Sequence, residues 1–467
     1  MKILKMILLL VLFLSIENVM SNTDADRISK LEQRVELLEG TLASLEPLLV
    51  ARYGLIRQCE VPLVTNGEAK CPDKIEPGEK CTLLCNPGYI PTPGKDHTRC
   101  KEGGFWSAEM QCEIPLLLVS GGATDQGDVT SELISFFPSK GCDLSMPDMP
   151  RPRNMHNIVY QPGSPGKVLA CNGMTDDILA SCDVLDLRTS NWTHHSYPNK
   201  ARAMVDSFCD TSVSPPYDCR LSPDRKKGRY AAQAMRVGED TVIVGGMVYD
   251  DKGHDTSGSF RELSTLVFGG TSWDAKDDLS KRRAFFCSVN IKDGALLAIG
   301  GLGIDKKRQI IQKSVEHRRV GFGGIAGLKW ISKFSDMRLP RSGLGCSAIL
   351  GNDYSILVSG GTKGFGQPAI ADAEIFDWKS NSWRNAASMK SSRFGHAVVA
   401  VGSKVFAVGG DERNPKNILD TIEEYDIKNN SWKMTKTKLK TPRSNFGYTL
   451  VPHSIFNGCV ITRPLTE

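Results

Sequence analysis

Between residues 116 and 451 the chain repeats one pattern of apolar and polar positions. Four or five apolar residues lead into a glycine pair, and a polar stretch follows. The runs are Leu116-Leu117-Leu118-Val119 before Gly121-Gly122, Val242-Ile243-Val244 before Gly245-Gly246, and Leu296-Leu297-Ala298-Ile299 before Gly300-Gly301. Two more are Ile356-Leu357-Val358 before Gly360-Gly361 and Val405-Phe406-Ala407-Val408 before Gly409-Gly410. A sixth copy, Val168-Leu169-Ala170-Cys171, is followed by Asn172-Gly173, with asparagine where the others have the first glycine. Asparagine is the residue best able to replace glycine where the backbone needs a positive φ. Short apolar runs bounded by turn signals predict buried strands, not helices.

Each glycine pair is followed by a second recurring stretch. It reads Glu423-Glu424-Tyr425-Asp426 then Asn430-Ser431-Trp432, Ala373-Glu374-Ile375-Phe376-Asp377 then Asn381-Ser382-Trp383, and Cys182-Asp183-Val184-Leu185-Asp186 then Asn191-Trp192. Degenerate copies end at Trp273 and Trp330. Apolar strand, glycine turn, alternating strand, polar turn and tryptophan make one four-stranded antiparallel sheet. The first glycines at 121 and 409 are five intervals apart, a mean period of about 58 residues, which is the range of blade-type repeats. These residues resemble the kelch repeat, and six copies resemble a six-bladed kelch β-propeller. The resemblance is densest in the last two copies and covers 115–455.

The first repeat opens directly on Leu116, without the strand that precedes the glycine-pair strand elsewhere, such as Arg393-Phe394-Gly395-His396-Ala397. An orphan copy, Arg443-Ser444-Asn445-Phe446-Gly447-Tyr448, lies at the far end. The C-terminal strand is therefore expected to complete the first sheet, because open sheet edges invite aggregation. A bridge between Cys142 and Cys459 would lock that closure. Residues 456–467 are left as a tail.

Residues 1–21 carry Lys2 and Lys5, an apolar run from Met6 to Ile16 and a small-residue end at Ser21, the pattern of a secretory signal peptide. The run is too short to span a bilayer. Residues 24–49, within a segment 22–50, follow a heptad with Ile28, Val35, Leu42 and Leu49 at one core position and Leu31, Leu38 and Leu45 at the other. They predict a short coiled-coil helix joining copies of the chain, trimer ahead of dimer; the alternative is one amphipathic helix docked on its own protein. Arg34-Val35-Glu36-Leu37-Leu38-Glu39 resembles the signature of short trimeric coiled coils.

Cys59-Glu60-Val61-Pro62, Cys85-Asn86-Pro87-Gly88-Tyr89, Cys100, Trp106 and Cys112 stand in an order similar to a sushi (complement control protein) module, spanning 57–114. The resemblance implies Cys59–Cys100 and Cys85–Cys112 bridges; the two extra cysteines, Cys71 and Cys81, most simply pair with each other. About 55 residues bury little core, so such a module leans on its bridges. In the repeat region Cys209 and Cys219 flank a long insertion, Cys171 and Cys182 straddle a hairpin, and Cys287 and Cys346 sit at matching places in adjacent repeats. The sequence has 14 cysteines, and the sequons at Asn191 and Asn429 fit the same oxidising, exported route.

Charge adds little. The net charge is +5, with basic runs at Arg225-Lys226-Lys227, Lys281-Arg282-Arg283 and Lys436 to Lys440. These are a glycosaminoglycan face or solvated loops, and no nucleic-acid partner is expected. Arg151, Arg282, Arg341, Arg393 and Arg443 precede the first strands of five sheets and are candidates to ring one mouth of a channel. There the planar guanidinium suits carboxylates and sulfates, the alternative being ion pairs between sheets. Aligning the first strands places His156, Cys287, Cys346, His396 and Tyr448 at one level, a set able to hold an axial metal or simply bond channel water. A phosphate loop, a HExxH helix and a Gly-x-Ser-x-Gly elbow are all missing.

The expectation is thus an all-β, non-enzymatic, secreted recognition or adhesion protein that binds extracellular proteins or glycans, needs no cofactor and has no transmembrane segment. The alternative is a propeller enzyme with an axial copper, similar to galactose oxidase.

Overall fold

The computed structural model describes residues 58–124, 130–142, 145–161, 166–175, 179, 181–196, 230–237, 240–247, 263–267, 273–276, 279–291, 295–305, 308–318, 330–349, 355–364, 366–413 and 417–461. The expected signal peptide, the coiled-coil segment 22–50, and the Cys209 and Cys219 pair lie outside the described residues. What is described is all-β, apart from one short 3₁₀ turn at His453–Ile455. Contacts divide the chain into two compact units: residues 58–62, Lys70–Thr82 and His97–Glu109 make one, and Leu63–Ala69, Leu83–Asp96 and Met110–Glu467 make the other.

The smaller unit is held by bridges more than by core. Cys59 is bonded to Cys100 and Cys71 to Cys81. Lys80, Cys81 and Thr82 pair with Arg99, Thr98 and His97. Trp106 donates its indole N–H to the Glu60 carbonyl at 3.0 Å.

The larger unit is a succession of antiparallel sheets. The second sheet runs Asn157–Gln161, Lys167–Cys171, Ser181–Asp186 and Asn191–Ser196. The third runs Gln233–Val237, Asp240–Val244, Leu263–Val267 and Trp273–Lys276. In the fourth, Cys287–Asn290, Leu296–Ile299 and Val315–Arg318 pair, and an extra hairpin, Leu302–Asp305 with Arg308–Ile311, is inserted after the glycine pair. The fifth runs Gly345–Ile349, Ser355–Ser359, Ala373–Asp377 and Ser382–Ala386. The sixth runs Ala397–Val401, Lys404–Val408, Thr421–Asp426 and Ser431–Lys438.

The first sheet is built from both ends of the region. Gly447–Pro452 pairs with Pro115–Ser120, with Gly447 opposite Ser120 and Val451 opposite Leu116, and Pro115–Ser120 pairs onward with Ser131–Ile134. The C-terminal segment then reaches a second edge, where Val460–Ile461 pairs with Ser139–Lys140 and Cys459 is bonded to Cys142. The chain thus clasps its own beginning twice. Replacing both Cys142 and Cys459 by serine is expected to cost roughly 2–4 kcal/mol, read from the urea midpoint. An unchanged midpoint would mean that the two strand pairings hold the clasp alone.

The glycine-pair strands are buried on both faces, which is why they read as unbroken apolar runs. Leu117 and Val119 pack with Ala397, Val399 and Phe406 of the sixth sheet, while Leu116 and Leu118 pack with Ile158, Tyr160 and Val168 of the second. Clusters of the same kind fill the remaining seams between successive sheets. The tryptophans add a polar staple to this packing. Trp192, Trp383 and Trp432 donate their indole N–H to Pro147, Ser335 and Ala387, the carbonyls at the end of the previous sheet, at 2.8–2.9 Å.

One residue ahead of each first strand's buried wedge, the backbone closes a cycle. Met155 N–H donates to Asn445 O, Asn445 to Gly395, Gly395 to Gly343, Gly343 to Phe285, Phe285 to Ala231, and Ala231 back to Met155, at 2.7–3.0 Å. All six residues have φ between 51° and 67°.

Candidate functional site

The arginines predicted to face a mouth are not free. Arg341, Arg393 and Arg443 are fully buried inside their own sheets. In the second and fourth sheets the equivalent residues are Arg153 and Arg283, two positions before the cyclic residue, not Arg151, which is exposed, or Arg282, which is half-buried. Arg229, two positions before Ala231 in the sequence, lies outside the described residues.

Each of these five guanidinium groups meets the same kind of partners. Arg393 donates to the carbonyls of Gly409 at 2.6 Å and Thr421 at 2.9 Å, and to Glu423 at 2.9 Å. Arg341 meets Gly360, Asp372 and Glu374, Arg283 meets Gly300, Ser314 and Glu316, and Arg153 meets Asn172, Ser181 and Asp183. Arg443 closes the set on Gly121 and Thr130, with Glu132 3.4 Å away. The carboxylates also accept loop amides: Lys390 and Ser391 donate to Glu423, and Arg338 and Leu339 to Glu374. Burial pulls the guanidinium pKa of Arg283, Arg393 and Arg443 below its ordinary value, and the facing carboxylate works against that shift.

This explains the glycine pair. Gly360 has φ 64° and a Cβ there would collide with the Arg393 carbonyl, while Gly361 donates its N–H to that same carbonyl at 2.8 Å. The pair is where one sheet's turn is threaded against the next sheet's arginine.

The second sheet departs from this scheme. Asp183 is shorter than glutamate; one of its oxygens takes Arg153 and the other takes His194 Nδ1 at 2.7 Å, where the other repeats offer loop amides.

The five residues expected at one axial level are spread over three. His156 and His396 share a level with Phe286, Leu344 and Phe446, counted from the cyclic residues; Cys287 is one residue further on, and Cys346 and Tyr448 two. The misalignment arose because the cyclic positive-φ seat is held by Met155 and Phe285 as well as by glycine, and nothing in the sequence marks it there. Cys287 is bonded to Cys346, joining two neighbouring first strands. Burial pushes the Tyr448 hydroxyl up to about 12, and it bonds the backbone of Val398. Each histidine wedges between sheets and meets the serine before the previous glycine pair: Ser120 Oγ lies 3.3 Å from His156 Nε2 and Ser359 Oγ 3.1 Å from His396 Nε2. Burial, reinforced by Arg153 beside His156 and by Arg393 beside His396, lowers both pKa values to about 3. Among the described residues no three His, Cys, Asp or Glu side chains stand together as metal ligands.

In the remaining bridges, Cys85 is bonded to Cys112 and Cys171 to Cys182. Within the larger unit the segment after Cys85 is docked firmly. Gly402 N–H donates to Gly88 O at 2.7 Å, Tyr89 packs on the apolar cluster of the first and sixth sheets, and Glu113 accepts from Ser454 N–H at 3.0 Å. Asn191 and Asn429 are exposed ahead of tryptophans; Asn430 accepts the Ala387 N–H at 2.8 Å, and the Asn429 side-chain amide donates to Asp426 at 2.8 Å.

Comparison with protein families agrees with this geometry. The Sushi repeat (SCR repeat) matches residues 59–112 and the Kelch motif matches 392–437. This chain joins a Sushi repeat to kelch repeats. The kelch part is similar to Kelch-like protein 7 of Rattus norvegicus, 42% identical over 65 residues, which is 14% of this chain and 11% of that protein. It is also similar to Kelch-like protein 40 of Xenopus tropicalis, 26% identical over 194 residues, covering 41% and 28% of the two chains. An F-box/kelch-repeat protein of Arabidopsis thaliana is 27% identical over 86 residues, 18% of this chain and 22% of its own. The chain therefore spans about a tenth to a quarter of the length of these curated relatives. Sushi and kelch modules are commonly protein-interaction modules, which fits a binding role.

Proposed function

We propose that this is a secreted recognition protein in which six kelch blades close into a β-propeller and, with the Sushi repeat, bind extracellular proteins or glycans. The observation that carries this reading is the set of six disulfides among the described residues, in both the Sushi and the kelch parts. Such a set persists in an oxidising compartment. The closed cycle of backbone hydrogen bonds and the two-fold clasp of the C-terminal segment support six blades in a ring. With the five repeat arginines locked in internal pairs, the kelch part offers as binding surfaces its loops and the mouth of the cycle, not a row of free guanidinium groups. Glycans at Asn191 and Asn429 are part of the same reading.

Residues 24–49 are proposed to gather copies of the chain, so that weak single contacts add up. Light scattering of the secreted chain with and without residues 22–50 tests this. A mass near three times the monomer that falls to one on deletion is expected, and monomer in both forms would remove the oligomer. Expression in secretory cells tests the rest. Cleavage after Ser21, glycopeptides at Asn191 and Asn429 and no free thiol in the medium are expected; a chain retained with reduced cysteines would overturn secretion.

A further inference from the structure

The bridge at the end of the chain differs from the other two described within the repeats. Cys171 is bonded to Cys182 and Cys287 to Cys346, and all four are at most 4% exposed. Cys459 is buried too, but its partner Cys142 is only half-buried, and its sulfur sits beside the Lys140 carbonyl in an exposed turn. Ser139, Lys140 and Gly141 on one side of the bond, and Asn457, Gly458 and Val460 on the other, are all exposed.

Little else holds those two sides together. The outer pairing is two residues long, Val460–Ile461 with Ser139–Lys140. Gly141, at φ 70°, and Gly458, at φ 75°, flank the bond, so both turns can open and close without a strained side chain. Cys71–Cys81 and Cys85–Cys112 also have one half-buried cysteine. Their sequence separations are 10 and 27 residues against 317, and a short loop keeps its two thiols together and re-forms.

The tail that the bond retains anchors more than itself. Ile455, Phe456 and Ile461 pack on the cluster of Leu116, Leu118 and Tyr160, where the first sheet meets the second. His453 Nδ1 lies 2.7 Å from the Ile114 carbonyl and 3.2 Å from the Glu113 carboxylate, and Ser454 donates its N–H to that carboxylate at 3.0 Å. Glu113 and Ile114 are buried and lead directly into Pro115–Ser120.

We infer that Cys142–Cys459 is a site of thiol–disulfide exchange, the substrate of an extracellular dithiol oxidoreductase, and that its opening releases residues 453–461. The reductant's thiolate attacks Cys142 Sγ, the S–S bond breaks, and Cys459 leaves as a thiolate that takes up a proton. The reductant's second thiolate then attacks its own sulfur in the mixed disulfide, and Cys142 leaves as the second thiol. Two electrons pass to this chain, and the dithiol ends as a disulfide. Exposed bridges are the labile ones, because the rate follows access to the attacked sulfur. Release uncovers one flank of the Leu116 cluster and frees Glu113 and Ile114 from His453 and Ser454. Gly447–Pro452 stays in place, held to Pro115–Ser120 by six residue pairs, so the opening is local and oxidation reverses it. From the recognition reading the inference takes only that the bridges form outside the cell.

The test treats the purified full chain with dithiothreitol, quenches with an alkylating reagent at intervals and reads each cysteine by peptide mass spectrometry. Cys142 and Cys459 are expected to be labelled about tenfold faster than the other bridged cysteines. Hydrogen exchange should rise about tenfold over 453–461 and stay unchanged over 447–452. A thioredoxin-type oxidoreductase whose second active-site cysteine is replaced by serine should be captured as a mixed disulfide on Cys142. Another bridge opening first or equally fast overturns the inference, as does exchange over 453–461 that reduction leaves unchanged. Capture on Cys459, or no capture, also overturns it. The double variant Cys142→Ser with Cys459→Ser should exchange over 453–461 as the reduced chain does; if it is not secreted, the reduced wild-type chain decides. A chain that fails here yet is secreted with no free thiol leaves the recognition reading standing and makes this bridge a fixed staple.

Discussion

Replacing Arg393 by leucine should destabilise the kelch part by about 3–5 kcal/mol, the range for breaking a buried ion pair from one side. The reason is what stays behind. Glu423 is fully buried and loses its one cationic partner among the described residues, the carbonyl of Gly409 loses the guanidinium, and that of Thr421 is left with the Gly409 N–H alone. Glu423 keeps the amides of Lys390 and Ser391, so the carboxylate is not wholly stranded. The double variant Arg393→Leu with Glu423→Leu should recover part of the loss, since removing both charges is often close to neutral. It should not recover all of it, because those two amides are then orphaned, at roughly 1–3 kcal/mol. Urea unfolding of the four chains in a double-mutant cycle reads the coupling. A loss below about 1 kcal/mol for the single variant would show that the repeated arginine is not a structural latch.

The second large effect is acid lability. His156 and His396 titrate near pH 3 in the folded chain against 6.5 for the free side chain. Below pH 6.5 the unfolded chain binds a proton at each imidazole and the folded chain does not. The unfolded state therefore gains on acidification, and the stability present above pH 6.5 is lost progressively down to about pH 3. At pH 5 the shortfall is about 1.5 pH units at 1.36 kcal/mol each, or about 2 kcal/mol per histidine and about 4 kcal/mol for both. The charged neighbours, Arg153 and Arg443 at one wedge and Arg393 and Arg341 at the other, all oppose protonation. A variant with leucine at both positions, the residue that the fifth sheet uses at Leu344, should lose that part of the pH slope. Urea midpoints at pH 7 and pH 5 decide it, and an unchanged difference between the two chains would show that acid acts through other groups.

Much of this was legible because the repeat writes itself in residues with narrow roles. Glycine pairs, tryptophans and the Asn-x-Trp turns marked the sheets, and the missing strand before Leu116 pointed to the pairing with Gly447–Pro452. The Cys59–Cys100 and Cys85–Cys112 bridges were implied by the resemblance to the sushi module. The candidate site was less legible. Arg151 stands beside Arg153 and Arg282 beside Arg283, and only the distance to the cyclic seat tells which arginine turns inward. That seat is invisible where Met155 or Phe285 fills it, because its signature is a dihedral angle. The fourth sheet was blurred by its inserted hairpin, which separates Gly301 from Val315, and Trp330 lies beside a lone bridge from Ile331 to His317 instead of within a regular last strand. That Cys142 is half-buried while Cys171 and Cys287 are buried gave no sequence signal at all: it comes from the exposed turns in which the folded chain sets its last bridge.

The double clasp at the end of the chain has a consequence for synthesis. A ribosome delivers Pro115–Ser120 more than 300 residues before Gly447–Pro452, the strand that covers one of its edges, and the Cys142–Cys459 bond has a sequence separation of 317. Throughout that interval an apolar strand must wait with its hydrogen-bonding edge bare. A chain cut short even by its last dozen residues would lose the bridge and the outer pairing, so the growing protein has reason to depend on a chaperone that shields this one edge until translation ends.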